Sequence, residues 1–137
     1  MAVVSELIRE ESNGTISFGD YSLEQKAKLD NFIHKEASYK VKTYKEITKL
    51  ECDEMFVYES VPGTVVTNFY KEEGKVSFEV EGPEDAQITL ELEADSEYEI
   101  KINDESVGTM TTNLGGKLSL SVELEGNTGV SIVIEKR

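Results

Sequence analysis

The sequence has few of the side chains on which common catalytic and metal sites depend. It contains one cysteine, one histidine, two prolines and no tryptophan among 137 residues. A single cysteine cannot form an internal disulfide, and one histidine with one cysteine is too few for a typical zinc site. Most nucleophilic mechanisms would also lack a general base. We therefore expect a non-enzymatic protein with no catalytic residue, no cofactor and no bound metal ion.

The single cysteine and the single histidine are expected to be structural. The alternation that begins at Leu50 places Cys52 on the apolar face of a strand. Only Lys49 lies nearby in the sequence to stabilise a thiolate, so a buried thiol is favoured over the alternative of a reactive one. We interpret His34 in the same way, as a residue of the core.

Positive charge is scarce overall but concentrated in one segment. The net charge is -14, with 28 acidic and 14 basic residues, and the only arginines are Arg9 and Arg137. Because phosphate backbones are held by clustered lysine and arginine, nucleic acid and anionic membranes are not expected as partners. The lysines of one segment could steer it onto the acidic segment that follows in a second copy, the alternative being a solvated face. These lysines are Lys26, Lys28, Lys35, Lys40, Lys42, Lys45 and Lys49.

Long apolar runs are also missing. The N-terminus has an apolar start of only four residues, which is too short for the apolar region of a signal peptide. No run approaches the length of a membrane span. We expect a cytoplasmic protein, with export by a non-classical route as the alternative.

The chain does have a regular alternation of apolar and polar residues. From Ala86 to Leu124 apolar side chains recur at every second position within each run, which predicts antiparallel strands with one apolar and one acidic face. A breaker at Val61–Thr64 precedes seven short runs with turn residues between them, a pattern typical of an immunoglobulin-like sandwich. The runs are VVTNFY, KVSFEVEG, AQITLELE, EYEIKIN, SVGTMTT, KLSLSVEL and GVSIVIEK.

Strands are also predicted before the breaker. Residues 3–23 read as a hairpin with a type I′ turn at Asn13-Gly14. The segment from Ser22 to Glu36 lacks a clean helical period, so a strand or irregular structure is favoured over a capped helix. We therefore predict an all-β protein with an N-terminal β-hairpin region, residues 1–60, added to an immunoglobulin-like antiparallel β-sandwich, residues 61–137.

Three groups of residues are candidate sites. Tyr58 and Glu59 could supply a nucleophile and an acid, but adjacent strand residues point to opposite faces. An acidic row at alternate positions could bind calcium, against the alternative of a solvated face that deters aggregation; its members are Glu91, Glu93, Asp95, Glu97 and Glu99. The aromatic residues could form a glycan platform, but their spacing favours core packing; they are Phe18, Tyr39, Phe56, Tyr58, Phe69, Phe78 and Tyr98.

Parts of the sequence resemble known groups of proteins. The stretch YEIKINDESVGTMTTNLGGKLSLSVEL resembles the last hairpins of accessory β-sandwich modules in bacterial surface and carbohydrate-active proteins. With FVYESVPGT and VEGPEDAQITLELE, the chain is similar to small acidic bacterial proteins sometimes labelled endosialidase. That label implies glycan cleavage. Sialidase chemistry, however, needs clustered arginines to hold the sugar carboxylate, and lysine cannot replace them.

The sequence therefore favours a structural or binding module that acts through homo-oligomeric assembly or partner docking. The first 60 residues are expected to carry the contact between copies. The alternative is a carbohydrate-binding or carbohydrate-cleaving, endosialidase-like accessory domain. A flat strip of exposed aromatic side chains would favour the glycan ligand, whereas long unpaired edge strands would favour assembly.

Overall fold

The protein is built entirely from β-strands over the residues that the computed structural model describes, 3–126 and 129–137. These residues contain no helix, and therefore none that could cross a bilayer. The strands are β1 (Ile8–Glu10), β2 (Ile16–Phe18), β3 (Ala27–His34), β4 (Ala37–Tyr44), β5 (Ile47–Cys52), β6 (Met55–Val61), β7 (Val65–Glu72), β8 (Lys75–Glu81), β9 (Ala86–Glu91), β10 (Glu97–Ile102), β11 (Glu105–Thr111), β12 (Lys117–Val122) and β13 (Val130–Lys136).

The strands form two antiparallel sheets packed face to face. Sheet A has seven strands in the order β1-β2-β7-β8-β13-β10-β11, and sheet B has six in the order β12-β9-β6-β5-β4-β3. Apolar residues at alternate positions point inward from both sheets and form one core, as the period of two requires. The predicted all-β sandwich is confirmed.

Both sheets combine strands from before and after the predicted boundary at residue 61. All seven strands predicted after the boundary form, but five lie in sheet A and only β9 and β12 lie in sheet B. The earlier strands complete the sandwich, because β2 pairs with β7 and β6 pairs with β9. The N-terminal hairpins are thus integral parts of the two sheets rather than a layer beside them.

Local turn chemistry explains most of the hairpins. Lys35-Glu36, Asp53-Glu54 and Asn103-Asp104 form two-residue turns in which both residues have positive φ, as type I′ geometry requires. The type I′ turn predicted at Asn13-Gly14 is wrong. Five residues join β1 to β2, and only Gly14 among them has a positive φ. The Asn13 side chain instead accepts a hydrogen bond from the Thr15 hydroxyl at 2.6 Å, which stabilises the longer loop.

The segment between Ser22 and Glu36 forms strand β3 along most of its length, so the strand interpretation is confirmed over the helical one. Asn31 has a φ of 60° and lies at a shift in the register between β3 and β4. This bulge interrupts the alternation of the segment. It explains why the segment shows no clear period of either kind.

Aromatic side chains fill the centre of the core. Phe18 packs edge-on against Tyr58 with ring centroids 5.3 Å apart, and Tyr58 packs edge-on against Phe78 at 5.7 Å. Phe69 contacts all three rings. The predicted core role is confirmed for these four residues and for Tyr98, all of which are buried. Tyr39 and Phe56 are half-buried.

A buried chain of hydroxyl groups fastens the crossing from sheet B to sheet A. The Thr48 hydroxyl donates to the Thr64 carbonyl at 2.8 Å and accepts the Thr64 N–H at 3.0 Å. The Thr48 hydroxyl has only one proton, and the bond to the Thr64 carbonyl uses it. The Thr43 hydroxyl therefore donates to the Thr48 hydroxyl at 2.8 Å, and it accepts the Asp20 N–H at 2.9 Å. The three threonines are fully buried. The segment before β7 is therefore held by polar bonds that water cannot replace.

Candidate functional site

The two residues considered as a catalytic pair lie on opposite faces of β6, as predicted. Tyr58 is fully buried and its hydroxyl bonds to the Thr64 hydroxyl at 2.9 Å. Burial raises the pKa of Tyr58 well above its usual range. Glu59 lies on the outer face of sheet B, opposite Lys49. The sheet itself separates the two groups, so they cannot act on one substrate atom.

The two arginines are both used in local ion pairs. Arg9 lies 3.0 Å from Glu11, and Arg137 lies 3.7 Å from Glu97. Arg9 lies on β1 and Arg137 follows β13, and these two strands are not neighbours in sheet A, so the two arginines do not form a cluster. The geometry that a sialidase-type site requires is therefore not assembled from these residues.

The acidic row does not share one face, so that part of the calcium hypothesis is wrong. Glu91 ends β9 in sheet B, whereas Glu97 and Glu99 lie on β10 in sheet A. Glu91 pairs with Lys117 at 3.5 Å and Glu93 pairs with Lys136 at 2.8 Å. Across residues 3–126 and 129–137 no three metal-binding side chains converge.

His34 is a buried structural residue, as predicted. Its Nδ1 contacts the Glu10 carboxylate, and its Nε2 lies 3.1 Å from the Gly14 carbonyl. The ring thereby ties β3 of sheet B to β1 and its following loop in sheet A. Cys52 is half-buried and packs against the core, so the predicted burial is only partial.

The edge strand β11 is the least protected part of the fold. All seven of its residues are exposed, including Val107 at 60%. Residues 106–122, which include most of β11 and all of β12, contain a single charged residue, Lys117, in a chain that is 31% charged. Edge strands in soluble proteins are usually protected by charge, proline or short length. In β11 these devices are limited to one charged residue, Glu105 at its start, and a bulge between Ser106 and Gly108.

The outward backbone groups of β11 can be assigned from one hydrogen bond. The Thr112 N–H donates to the Ser96 carbonyl at 2.9 Å, so these two residues form a hydrogen-bonded pair. Bonded and non-bonded pairs alternate in an antiparallel ladder. Thr111, opposite Glu97, and Thr109, opposite Glu99, are therefore in non-bonded pairs. Their N–H and carbonyl groups point away from β10, toward any added strand.

The outer face of sheet B carries a row of like charges. Lys28 on β3 lies opposite Lys42 on β4, which lies opposite Lys49 on β5. Partial burial, together with the nearby lysine charges, lowers the pKa of Lys42. Among the described residues no carboxylate lies within 4 Å of Lys28 or Lys42. Like charges in direct cross-strand contact destabilise a sheet, so this row is a cost to the isolated monomer.

The outer face of sheet A has a matching acidic pair beside the exposed edge. Glu99 on β10 lies opposite Glu135 on β13. Glu135 also lies opposite Lys75 on β8, but the described residues form no ion pair between these two side chains. The basic row therefore begins on edge strand β3, and the acidic pair begins on β10, the strand next to edge strand β11.

A cleft opens between the two sheets at the end of the sandwich that contains Tyr39. Its volume is about 530 Å³, and its inner surface includes Val57, Phe69 and Leu92. Tyr39 on β4 and Cys52 on β5 lie directly opposite each other. Local sequence patterns do not predict this cleft, because its residues come from six separate strands and the turns beside them.

Scans against protein-family models, curated proteins and solved structures found no match. The similarity to endosialidase-labelled proteins stays a prediction. The surfaces of the chain itself are therefore the basis for its function. One of them, the charge-poor edge, is visible in the sequence as residues 106–122, a stretch of 17 residues with one charge.

Proposed function

We propose that the protein is a non-enzymatic binding module whose function is homo-oligomeric assembly through its sheet edges. The observation that carries this proposal is the unprotected edge strand β11, with its outward backbone groups at Thr109 and Thr111. A strand from a second copy would pair with these groups and extend sheet A.

Charge selects β3 as the strand that pairs with β11. Placed beside β11, edge strand β3 would bring Lys28 of one copy within two strand spacings, about 10 Å, of Glu99 in the next. That distance is close to the screening length at physiological salt, about 8 Å, and the side chains are long enough to shorten it. Pairing β11 with β11 would instead bring two acidic faces together. Complementary charge acts mainly on orientation and on the rate of association.

The contact between β3 and β11 is head-to-tail. Each copy then has one free β3 and one free β11, so the assembly grows until it closes as a ring or continues as a filament. The exposed apolar side chains Leu29 and Ile33 on β3 would be covered in the contact. The first 60 residues thus supply one half of the interface and the acidic C-terminal part supplies the other.

The assembly can be tested with charge-reversed variants whose native mass is measured by analytical ultracentrifugation. Variant one carries Lys28→Glu and Lys42→Glu, and variant two carries Glu99→Lys and Glu135→Lys. Neither variant should assemble alone. In variant one both halves of the contact are acidic, and in variant two both halves are basic. An equimolar mixture should assemble. If β11 paired with β11, variant one would behave as the unmodified protein.

A second pair of variants tests the backbone contact. Thr111→Pro removes one outward N–H of β11 without removing a bond to β10, and should abolish assembly. Ser121→Pro is the matched control on the other charge-poor edge. Since the Leu92 N–H donates to the Gly116 carbonyl, alternation gives Ser121 an outward N–H as well. An unmodified protein that stays monomeric at high micromolar concentration and low salt would refute the proposal.

The glycan-binding alternative has less support. Of the aromatic side chains in the described residues, only Tyr70 is exposed, at 38%, and a flat platform needs several such rings in one plane.

A further inference from the structure

The cleft at the Tyr39 end of the sandwich has an uncharged interior. Burial raises the pKa of Tyr39 to about 12 and also raises the pKa of the Cys52 thiol. Both groups are therefore neutral at physiological pH. Val57, Phe69, Leu92 and Tyr98 also line the cleft. A volume of about 530 Å³ lies within the range of small-molecule sites.

The rim of the cleft carries a positive charge without a carboxylate partner. Lys71 donates to the Glu91 carbonyl at 3.0 Å, and among the described residues no carboxylate lies within 4 Å of its Nζ. It lies close enough to Cys52 for its charge to act on the thiol. Two of the other charged groups at the rim have partners, and Glu73 and Lys75 line the rim as well. Glu93 pairs with Lys136 at 2.8 Å, and the Glu72 carboxylate accepts the Tyr70 hydroxyl at 3.0 Å.

The cleft also extends sideways. A smaller hollow of about 110 Å³ shares Tyr39, Phe69 and Lys71 with it and continues toward His34. Lys71 thus lies between the cleft and this hollow. A ligand with one charged end and an extended apolar body fits this arrangement better than a compact polar molecule.

We propose that this cleft binds a small organic carboxylate, with the carboxylate on Lys71 Nζ and an apolar chain lying along Tyr39, Phe69 and Leu92. The ammonium supplies one charge-assisted hydrogen bond, which is stronger than a neutral one. The apolar wall supplies affinity in proportion to the surface that the chain buries. This binding is independent of the assembly contact, because no cleft residue lies on β3 or β11.

The probes are hexanoate, octanoate and decanoate, with octanamide as the uncharged counterpart of octanoate. Affinity, measured by NMR titration, should rise about fourfold for each added methylene until the cleft is full. Octanamide should bind about tenfold or more weakly than octanoate. Lys71→Gln should weaken octanoate to the level of octanamide. Saturating octanoate should slow the alkylation of Cys52 by iodoacetamide.

Lys45→Gln is the matched control, because Lys45 is exposed in the turn after β4, at the opposite end of the strand from Tyr39. It should leave the affinity for octanoate unchanged. Equal affinity for octanoate and octanamide, equal loss in the two lysine variants, or no saturable binding of any probe at millimolar concentration would overturn the proposal.

Discussion

The buried chain of hydroxyl groups allows a stability effect to be worked out before it is measured. Thr48→Val keeps the shape of the side chain and opens no cavity, but it removes the oxygen that serves both backbone groups of Thr64. The Thr43 hydroxyl also loses its acceptor. All of these groups are fully buried, so water cannot replace the lost partner.

Leaving a buried polar group without a partner costs about 1–3 kcal/mol. Two backbone groups and one hydroxyl give an expected loss of about 4 kcal/mol in the free energy of unfolding, which is a large part of the stability of an ordinary domain. Thr43→Val leaves only the Asp20 N–H without a partner and should cost about 2 kcal/mol. Because the two threonines share a bond, the double variant should lose less than the sum.

Urea unfolding followed by circular dichroism measures these differences, provided that the slope with urea concentration is unchanged. Thr89→Val is the matched control. Its hydroxyl makes a similar bond to Ser119 at 2.9 Å, but the bond is exposed, so the expected change is within about 0.5 kcal/mol. If Thr48→Val cost no more than Thr89→Val, the buried hydroxyl chain would not be what holds the crossing to β7.

Three further predictions concern the turns, a close backbone approach and pH. Glu54→Gly should stabilise the fold by about 1 kcal/mol in urea unfolding, because Glu54 has a φ of 68°; Glu46→Gly, at a position without a positive φ, should not. Gly63→Ala should cost more than about 3 kcal/mol, since the added Cβ would lie 2.0 Å from the Tyr44 carbonyl, whereas Gly115→Ala should be tolerated. The Ser17 and Arg9 hydrogen bonds lower the pKa of Glu11, so its ionised form stabilises the folded state. Glu11→Gln should therefore be destabilising at neutral pH, and the difference should shrink as the pH falls below the ordinary carboxyl pKa and disappear only below the lowered pKa of the folded state; a difference that is independent of pH would contradict this.

The strands were predictable because their signal is local. Alternation on β8, β9, β10 and β12 shows directly which side chains face the core, and the burial patterns agree. The pairing of the strands was not predictable to the same degree. Which sheet a strand joins depends on contacts between distant segments, such as Ile16 with Phe69, and periodicity carries no information about them.

The errors in turn type and acidic face have the same origin. Asn13-Gly14 favours a type I′ turn locally, yet the side-chain bonds of Asn13 stabilise a five-residue loop. The carboxylates from Glu91 to Glu99 resembled one row because acidic residues continue at alternate positions through the turn between β9 and β10. The chain changes sheets within that turn, and the row is divided.

The proposed interface consists of features that would be costly in an isolated monomer. A row of three lysines at directly opposed cross-strand positions and an exposed edge strand with a single charged residue both work against a stable, soluble sandwich. Either cost could be removed by a single surface substitution, for example a lysine at Val107 or a glutamate at Lys42. Local rules tend to be broken where function requires it. Because the two costs lie on opposite sides of the same fold and have complementary charge, one contact between copies offsets both.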